Sequence, residues 1–182
     1  SFANSIRSGA KKGLTEKRFT NILHIGSGGS LAGPMMVLRA LSSYQKPNIQ
    51  IDFVGNADSS DLQSKLRKLD PETTLVVVAS KTFATQETIL NAETTKKWML
   101  ERLGPSSLSQ HFVAITGNKN RAKSFGVIDQ NIFEIWEWVG GRFSLWSAVG
   151  LTIILGIGTE NFKQFLQGAR TIDEHFLNTA PE

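Results

Sequence analysis

The sequence predicts an α/β fold: a parallel sheet of five strands with helices on both of its faces. Three observations lead there. Short apolar segments alternate with helical patterns at the spacing of βαβ units. One of those segments, Thr74 to Ala79, is apolar and β-branched almost throughout, as expected of a strand buried on both faces. Two strands run directly into turns rich in glycine or hydroxyl residues just before a helix begins, where open α/β sheets bind their ligands.

The elements follow in order. Ser1 to Leu14 carries a helical pattern through Phe2, Ile6 and Ala10, and Lys11-Lys12 with Gly13 reads as its end. Phe19 to Ile25 is the first predicted strand, closing in Gly26-Ser27-Gly28-Gly29-Ser30. A helix from about Ser30 to Leu41 follows, with Pro34 in its first turn, where a missing N–H costs little. Ile49 to Val54 is the second strand, and Ser59 to Leu69 an amphipathic helix stopped by Asp70-Pro71. After the third strand, Thr74 to Ala79, a helix runs from about Thr85 to Leu103, closed by Gly104-Pro105. His111 to Thr116 is the fourth strand, and a short helix near Asn120 to Ser124 leads to an aromatic-rich fifth, Asn131 to Ile135. From Gly141 the chain turns helical again, ending in a helix from Asn161 to Leu177. The sequence is read as one domain over 1–182, with C-terminal helices over 142–178. It has no opening Met and ends at Thr179-Ala180-Pro181-Glu182 without a terminal signal, and the expectation is a domain cut from a longer protein. Truncation of that kind is expected to leave apolar surface exposed around Leu151 to Ile157.

Composition narrows the function classes. With 40% hydrophobic and 20% charged residues, the chain can bury a core and is not disordered. A net charge of +4, scattered rather than blocked, gives a nucleic-acid partner little support and suits a small anion equally well. There is no cysteine, hence no disulfide and no thiolate metal site, and His24, His111 and His175 lack metal-ligand spacing. No metal site is expected from these side chains. The longest apolar run, Leu151 to Ile157, is too short to span a bilayer, and no secretory signal opens the sequence. A cytoplasmic protein without a membrane partner is the expectation.

Three stretches carry chemistry. Ser80-Lys81-Thr82-Phe83-Ala84-Thr85 places three hydroxyls and an ammonium between a strand and a helix. Free N–H groups at a helix start favour an anion, and hydroxyls orient phosphate oxygens. The plain alternative makes Thr85 a helix cap and Lys81 a solvated cation. Gly26 to Gly33 repeats the geometry on another strand, with Ser30 as hydroxyl donor and N-cap. It fails the dinucleotide fingerprint, because Leu31 stands where the third glycine is needed. The third stretch pairs Gly140-Gly141 with Arg142, whose planar guanidinium suits an oxyanion. Trp136, Trp138 and Trp146 around it are read as core aromatics.

Together these stretches resemble the glucose-6-phosphate isomerase (phosphoglucose isomerase) family, and within it the first sugar-isomerase (SIS) domain. The matching pieces are Ile25 to Pro34 (IGSGGSLAGP), Ala79 to Thr88 (ASKTFATQET) with Asn91, Ala92 and Glu93, and Glu137 to Gly150 (EWVGGRFSLWSAVG). The last is close to a family signature. Ser27 and Ala32 depart from the usual residues without removing a ligand group. The resemblance implies a three-layer αβα sandwich, flavodoxin-like or Rossmann-like, around a five-stranded parallel sheet. It implies a sugar phosphate, glucose 6-phosphate or fructose 6-phosphate, held by Ser30, Ser80, Thr82 and Thr85, with Lys81 supporting the site. Gly29 and Gly141 would lie along the substrate, Arg142 would stabilise a cis-enediolate, and Glu87 would stand behind it, positioning the loop near Arg142. It further implies chemistry without a metal or organic cofactor, a homodimer at full length, and a base, a ring-opening His and a C-terminal Lys supplied from beyond Glu182. The isolated chain is then expected to turn over negligibly.

Two rival readings differ in class. A non-catalytic phosphosugar sensor would use the same hydroxyl loops but has no need of Arg142 beside paired glycines. A dinucleotide oxidoreductase needs an acid at the end of the second strand, where Asp52 and Asp58 are poorly placed.

Overall fold

The computed structural model describes residues 1–179; Ala180, Pro181 and Glu182, at the expected cut, lie outside the described residues. Its centre is a sheet of five parallel strands: β1 (Asn21–Gly26), β2 (Gln50–Val54), β3 (Thr74–Ala79), β4 (Phe112–Thr116) and β5 (Ile132–Glu134), in the order β2-β1-β3-β4-β5. β3 is buried at every position, as its β-branched run requires.

Alternation along the strands sorts side chains to two faces. On one, Leu23, Ile25, Val76 and Val78 pack with Leu62 of α3 (Ser59–Leu66), Met99 of α4 (Gln86–Leu103) and Phe125 of α6 (Lys119–Phe125). On the other, Ile22, Leu75, Val77 and Val113 meet Ile6 of α1 (Phe2–Ser8) and Leu155 of α7 (Leu151–Ile157). There α2 (Gly29–Ala40) and α8 (Thr159–Asn178) add Val37, Leu38 and Phe162 around Ile153. The three layers form the αβα sandwich. The chain leaves β1 through α2 towards β2 on one face, and leaves β3 through α4 towards β4 on the other. Its direction therefore reverses between β1 and β3, and a crevice opens at their carboxyl ends.

Several boundaries depart from the sequence expectation. α1 stops at Gly9 rather than Gly13, and α3 stops at Leu66. A short helix, α5 (Ser107–His111), precedes β4, so His111 closes a helix instead of opening a strand. Its ring is buried, accepting from the Leu14 N–H (2.9 Å) and bonded through Nδ1 to the Thr74 carbonyl (2.9 Å). Residues Gly141–Trp146 and Ala148–Gly150 form 3-10 turns, not an α-helix. The Ser144 and Ser147 hydroxyls donate back to the Gly141 and Ser144 carbonyls (2.7 and 2.6 Å), competing with a regular ladder.

The exposed apolar surface lies elsewhere than expected. α7 is almost wholly buried between the sheet and its neighbours. Trp136, Trp138, Phe143 and Trp146 stand exposed at one edge, and Ile172, Phe176 and Leu177 at the end of α8. The tryptophans are thus not core residues; Trp98 is the buried one. Among the described residues, no helix is long and apolar enough to cross a membrane.

Candidate functional site

The three singled-out stretches come together at the reversal between β1 and β3. Register pairs Gly26 with Ala79, so the two strand-to-helix junctions start side by side. In the first, Gly28 (φ 54, ψ −131) is the N-cap of α2, and Ser30 lies within the first turn rather than capping it. In the second, Thr85 is the N-cap of α4, yet its side chain makes no capping bond. Its Oγ1 instead lies 3.2 Å from Oγ of Ser80, which is buried at the end of β3. Among the described residues, the N–H groups of Gly29, Ser30, Gln86 and Glu87 have no hydrogen-bond acceptor. Two helix N-termini, each with free donors and the positive end of a dipole, therefore border one crevice.

The junctions are tied together. Thr88 Oγ1, in the first turn of α4, lies 3.5 Å from Ser27 Oγ across the crevice. Gly29 packs directly on the backbone of Gly141 and Arg142: a Cβ on Gly29 would come within 2.8 Å of the Arg142 nitrogen and closer still to the Gly141 carbonyl. Only glycine allows that approach, so its missing side chain serves loop closure. Lys81 joins the second and third stretches, its ammonium donating to the carbonyls of Glu137 and Val139 (3.2 Å for the latter). The Lys81 carbonyl in turn accepts from Thr116 Oγ1 (3.1 Å) and the Gly117 N–H (2.8 Å). Lys81 is thus a strap between loops, and its charge is already engaged. Thr82 is exposed beside it, and Phe83 (φ 49) is held in the left-handed region while its ring is buried edge-on to Phe125, 5.6 Å away. Strain of this kind in a non-glycine residue marks a loop whose shape is over-determined.

Arg142 and Glu87 are exposed and, among the described residues, make no ion pair. Among the described residues, no hydrogen bond or ion pair joins the two side chains. Asp52 accepts from Gln50 within β2 (3.0 Å) and Asp58 caps α3, local uses that leave neither on a ribose.

One contact beneath the site escaped the sequence reading. His24, fully buried in β1, lies 2.8 Å from the Ser30 carbonyl through Nε2 and 2.8 Å from Thr152 Oγ1 on α7 through Nδ1. A carbonyl can only accept, so Nε2 carries the proton and Nδ1 accepts from the threonine. Burial pushes the imidazole down to about 4, against the opposing hydrogen bond to Ser30. The signal was available: His24 shares a strand face with Ile22, directly before the glycine turn.

Fold and site define a doubly wound α/β domain with a candidate anion cradle at its switch point. The family model described as phosphoglucose isomerase matches residues 1–182. The chain is 51% identical over 181 residues to a glucose-6-phosphate isomerase of Methylococcus capsulatus, covering 99% of this chain and 33% of the relative. It is 49% identical to that of Dechloromonas aromatica, covering 98% and 34%. A crystal structure of a glucose-6-phosphate isomerase from Chlamydia trachomatis superposes with TM-score 0.82 at 35% identity, over 97% of this chain and 32% of that one. A hypothetical protein from Thermus thermophilus gives 0.77 at 27% identity, covering 100% and 42%. The chain belongs to the phosphoglucose isomerase family. It spans about a third of the length of the curated relatives it matches.

Proposed function

We propose that this domain forms the sugar-phosphate half-site of an enzyme interconverting glucose 6-phosphate and fructose 6-phosphate. The observation that carries the reading is the pair of helix N-termini with unpaired donors, locked to the Gly141-Arg142 turn. The phosphate sits against Ser30, Ser80, Thr82 and Thr85, with Gly29 and Gly141 flanking the sugar. Lys81 keeps the second loop on the third stretch. In the open-chain aldose, a base removes the C2 proton and the electron pair moves into a C1–C2 double bond. The resulting cis-enediolate carries its charge on the sugar oxygens; the O2 proton passes to O1, and returning the abstracted proton to C1 leaves the carbonyl at C2, the ketose. Arg142 offers its planar guanidinium to that charge. Glu87 keeps a positioning part only if substrate binding brings it towards Arg142. The base is assigned by this reading to the remaining two thirds of a relative-sized chain. A homodimer at full length and a cytoplasmic location belong to the same reading.

The test is a coupled assay of fructose 6-phosphate conversion at natural full length, with Arg142→Ala alongside. Arg142→Ala is expected to lower kcat by about 100-fold, the usual cost of a lost oxyanion donor, with KM changed only a few-fold. Absence of conversion by the parent protein overturns the activity; an unaltered kcat in the variant overturns the role of Arg142.

A further inference from the structure

Ser30 lies in the first turn of α2, where its carbonyl should accept from the N–H four residues on. That residue is Pro34, which has no N–H and whose ring crowds the carbonyl it follows. The Ser30 carbonyl is therefore stripped of its helical donor by the sequence itself. The structure supplies another: His24 Nε2, at 2.8 Å, reaching up from the buried face of β1. The ring cannot swing, because Thr152 on α7 holds Nδ1 at 2.8 Å and Phe53 of β2 packs 5.2 Å away. Gly26 leaves the passage open. A Cβ there would stand 3.3 Å from His24 Nε2 and 3.4 Å from the Ser30 oxygen, across the hydrogen bond.

We propose that His24 is a positioning residue: with Pro34 and Thr152 it sets the tilt of the first turn of α2, and so aims the Ser30 hydroxyl and the free N–H groups of Gly29 and Ser30 into the crevice. The inference rests on the reading of that turn as a phosphate-binding loop. Proline removes the competing donor, the imidazole takes its place from below, and the threonine fixes which nitrogen faces up. The turn is then held by the sheet and by α7 rather than by its own helix. A carbonyl satisfied along the helix axis would leave the turn free to follow α2.

Kinetics at natural full length decide the matter, with fructose 6-phosphate as substrate and inorganic phosphate as competitive inhibitor. His24→Leu is expected to raise KM and the phosphate inhibition constant together by about tenfold, the scale of one lost buried hydrogen bond. Its kcat should stay within a few-fold. His24→Gln, which keeps a donor at the Nε2 position, should recover most of the loss. Pro34→Ala in the His24→Leu background should also recover it, because residue 34 then donates to Ser30. A purely structural role would lower the melting temperature with KM and the inhibition constant unchanged, and that result overturns the proposal. Failure of Pro34→Ala to rescue a folded His24→Leu protein overturns it too. Should His24→Leu not fold, Thr152→Val carries the test, with a several-fold rise in both constants expected and no change overturning. Ser30→Ala separates the two levels. If it leaves both constants unchanged, the phosphate-loop reading fails; if it raises them while His24→Leu does not, the His24 inference alone fails.

Discussion

The two strand-to-helix junctions deliver the same thing by opposite means. Both end a buried strand, both open a helix with unpaired N–H groups, and they lie side by side. The first is made of backbone. Gly28 caps it, Gly29 lets Gly141 touch it, and its bracing comes from His24 beneath. The second is made of side chains: Ser80 and Thr85 face each other through hydroxyls, Lys81 straps the loop sideways, and a buried Phe83 pins it in a strained conformation. The first junction therefore depends on what lies under it, and the second on its own anchors. That contrast predicts different ways to break them.

The largest effect should come from the second junction. Phe83 is buried against Phe125 despite its positive φ, so packing outweighs the backbone cost. Phe83→Ala should destabilise by about 3–5 kcal/mol in denaturant unfolding. Phe83→Gly should be at least as stable as Phe83→Ala, because glycine adopts this φ without strain. The reverse order would mean that the loop leaves this conformation once the ring is gone, so that nothing but the ring holds it there.

The first junction should fail with acid instead. His24 is held neutral in the fold at about 4, against an ordinary value of 6.5, mainly through burial. Between those limits the unfolded chain binds a proton that the folded chain refuses. Stability is therefore full above pH 6.5, falls as pH drops through that window, and levels off below 4, a loss of roughly 3 kcal/mol attributable to this group. His111, also lowered by burial, adds in the same direction. Urea unfolding at several pH values, for the parent and His24→Gln, isolates the His24 part as the difference in slope. Equal slopes would mean that the imidazole is not held neutral, and the brace beneath the first turn would then lack its assigned tautomer.

The comparison also explains what was legible in the sequence. Thr74–Ala79 announces a buried strand by composition alone; the order β2-β1-β3-β4-β5 is not in any local pattern, because nothing near β3 says that it joins β1 on the side away from β2. Ser80, Thr85 and the glycine turn are readable because caps and turns are local. Missed features are those in which distant residues share a partner. The engagement of Lys81 with Glu137 and Val139, and of His24 with Thr152, spans 56 to 128 positions, and no local pattern encodes it. Trp136 and Trp138 misled for the opposite reason: aromatic content points to a core, but these rings stack on each other, 5.3 Å apart, on an exposed edge. The 3-10 turns after Gly140 look helical in composition, and their serine back-bonds decide otherwise.

The smallest effect concerns the hydroxyl pair. Thr85→Val keeps the shape of the N-cap residue but leaves the buried Ser80 hydroxyl without its partner. Because Thr85 makes no capping bond, helix α4 should keep its helicity, and the cost should be about 1 kcal/mol. The Ser80→Ala/Thr85→Val double variant should be no less stable than Thr85→Val alone, since removing both partners leaves nothing unsatisfied. Substrate affinity should behave differently. If both hydroxyls also face the phosphate, KM rises further in the double variant while stability recovers. A double variant that regains stability and affinity together would make the pair a structural clasp only. The second junction would then offer its anion nothing but backbone, and the distinction between the two junctions would dissolve.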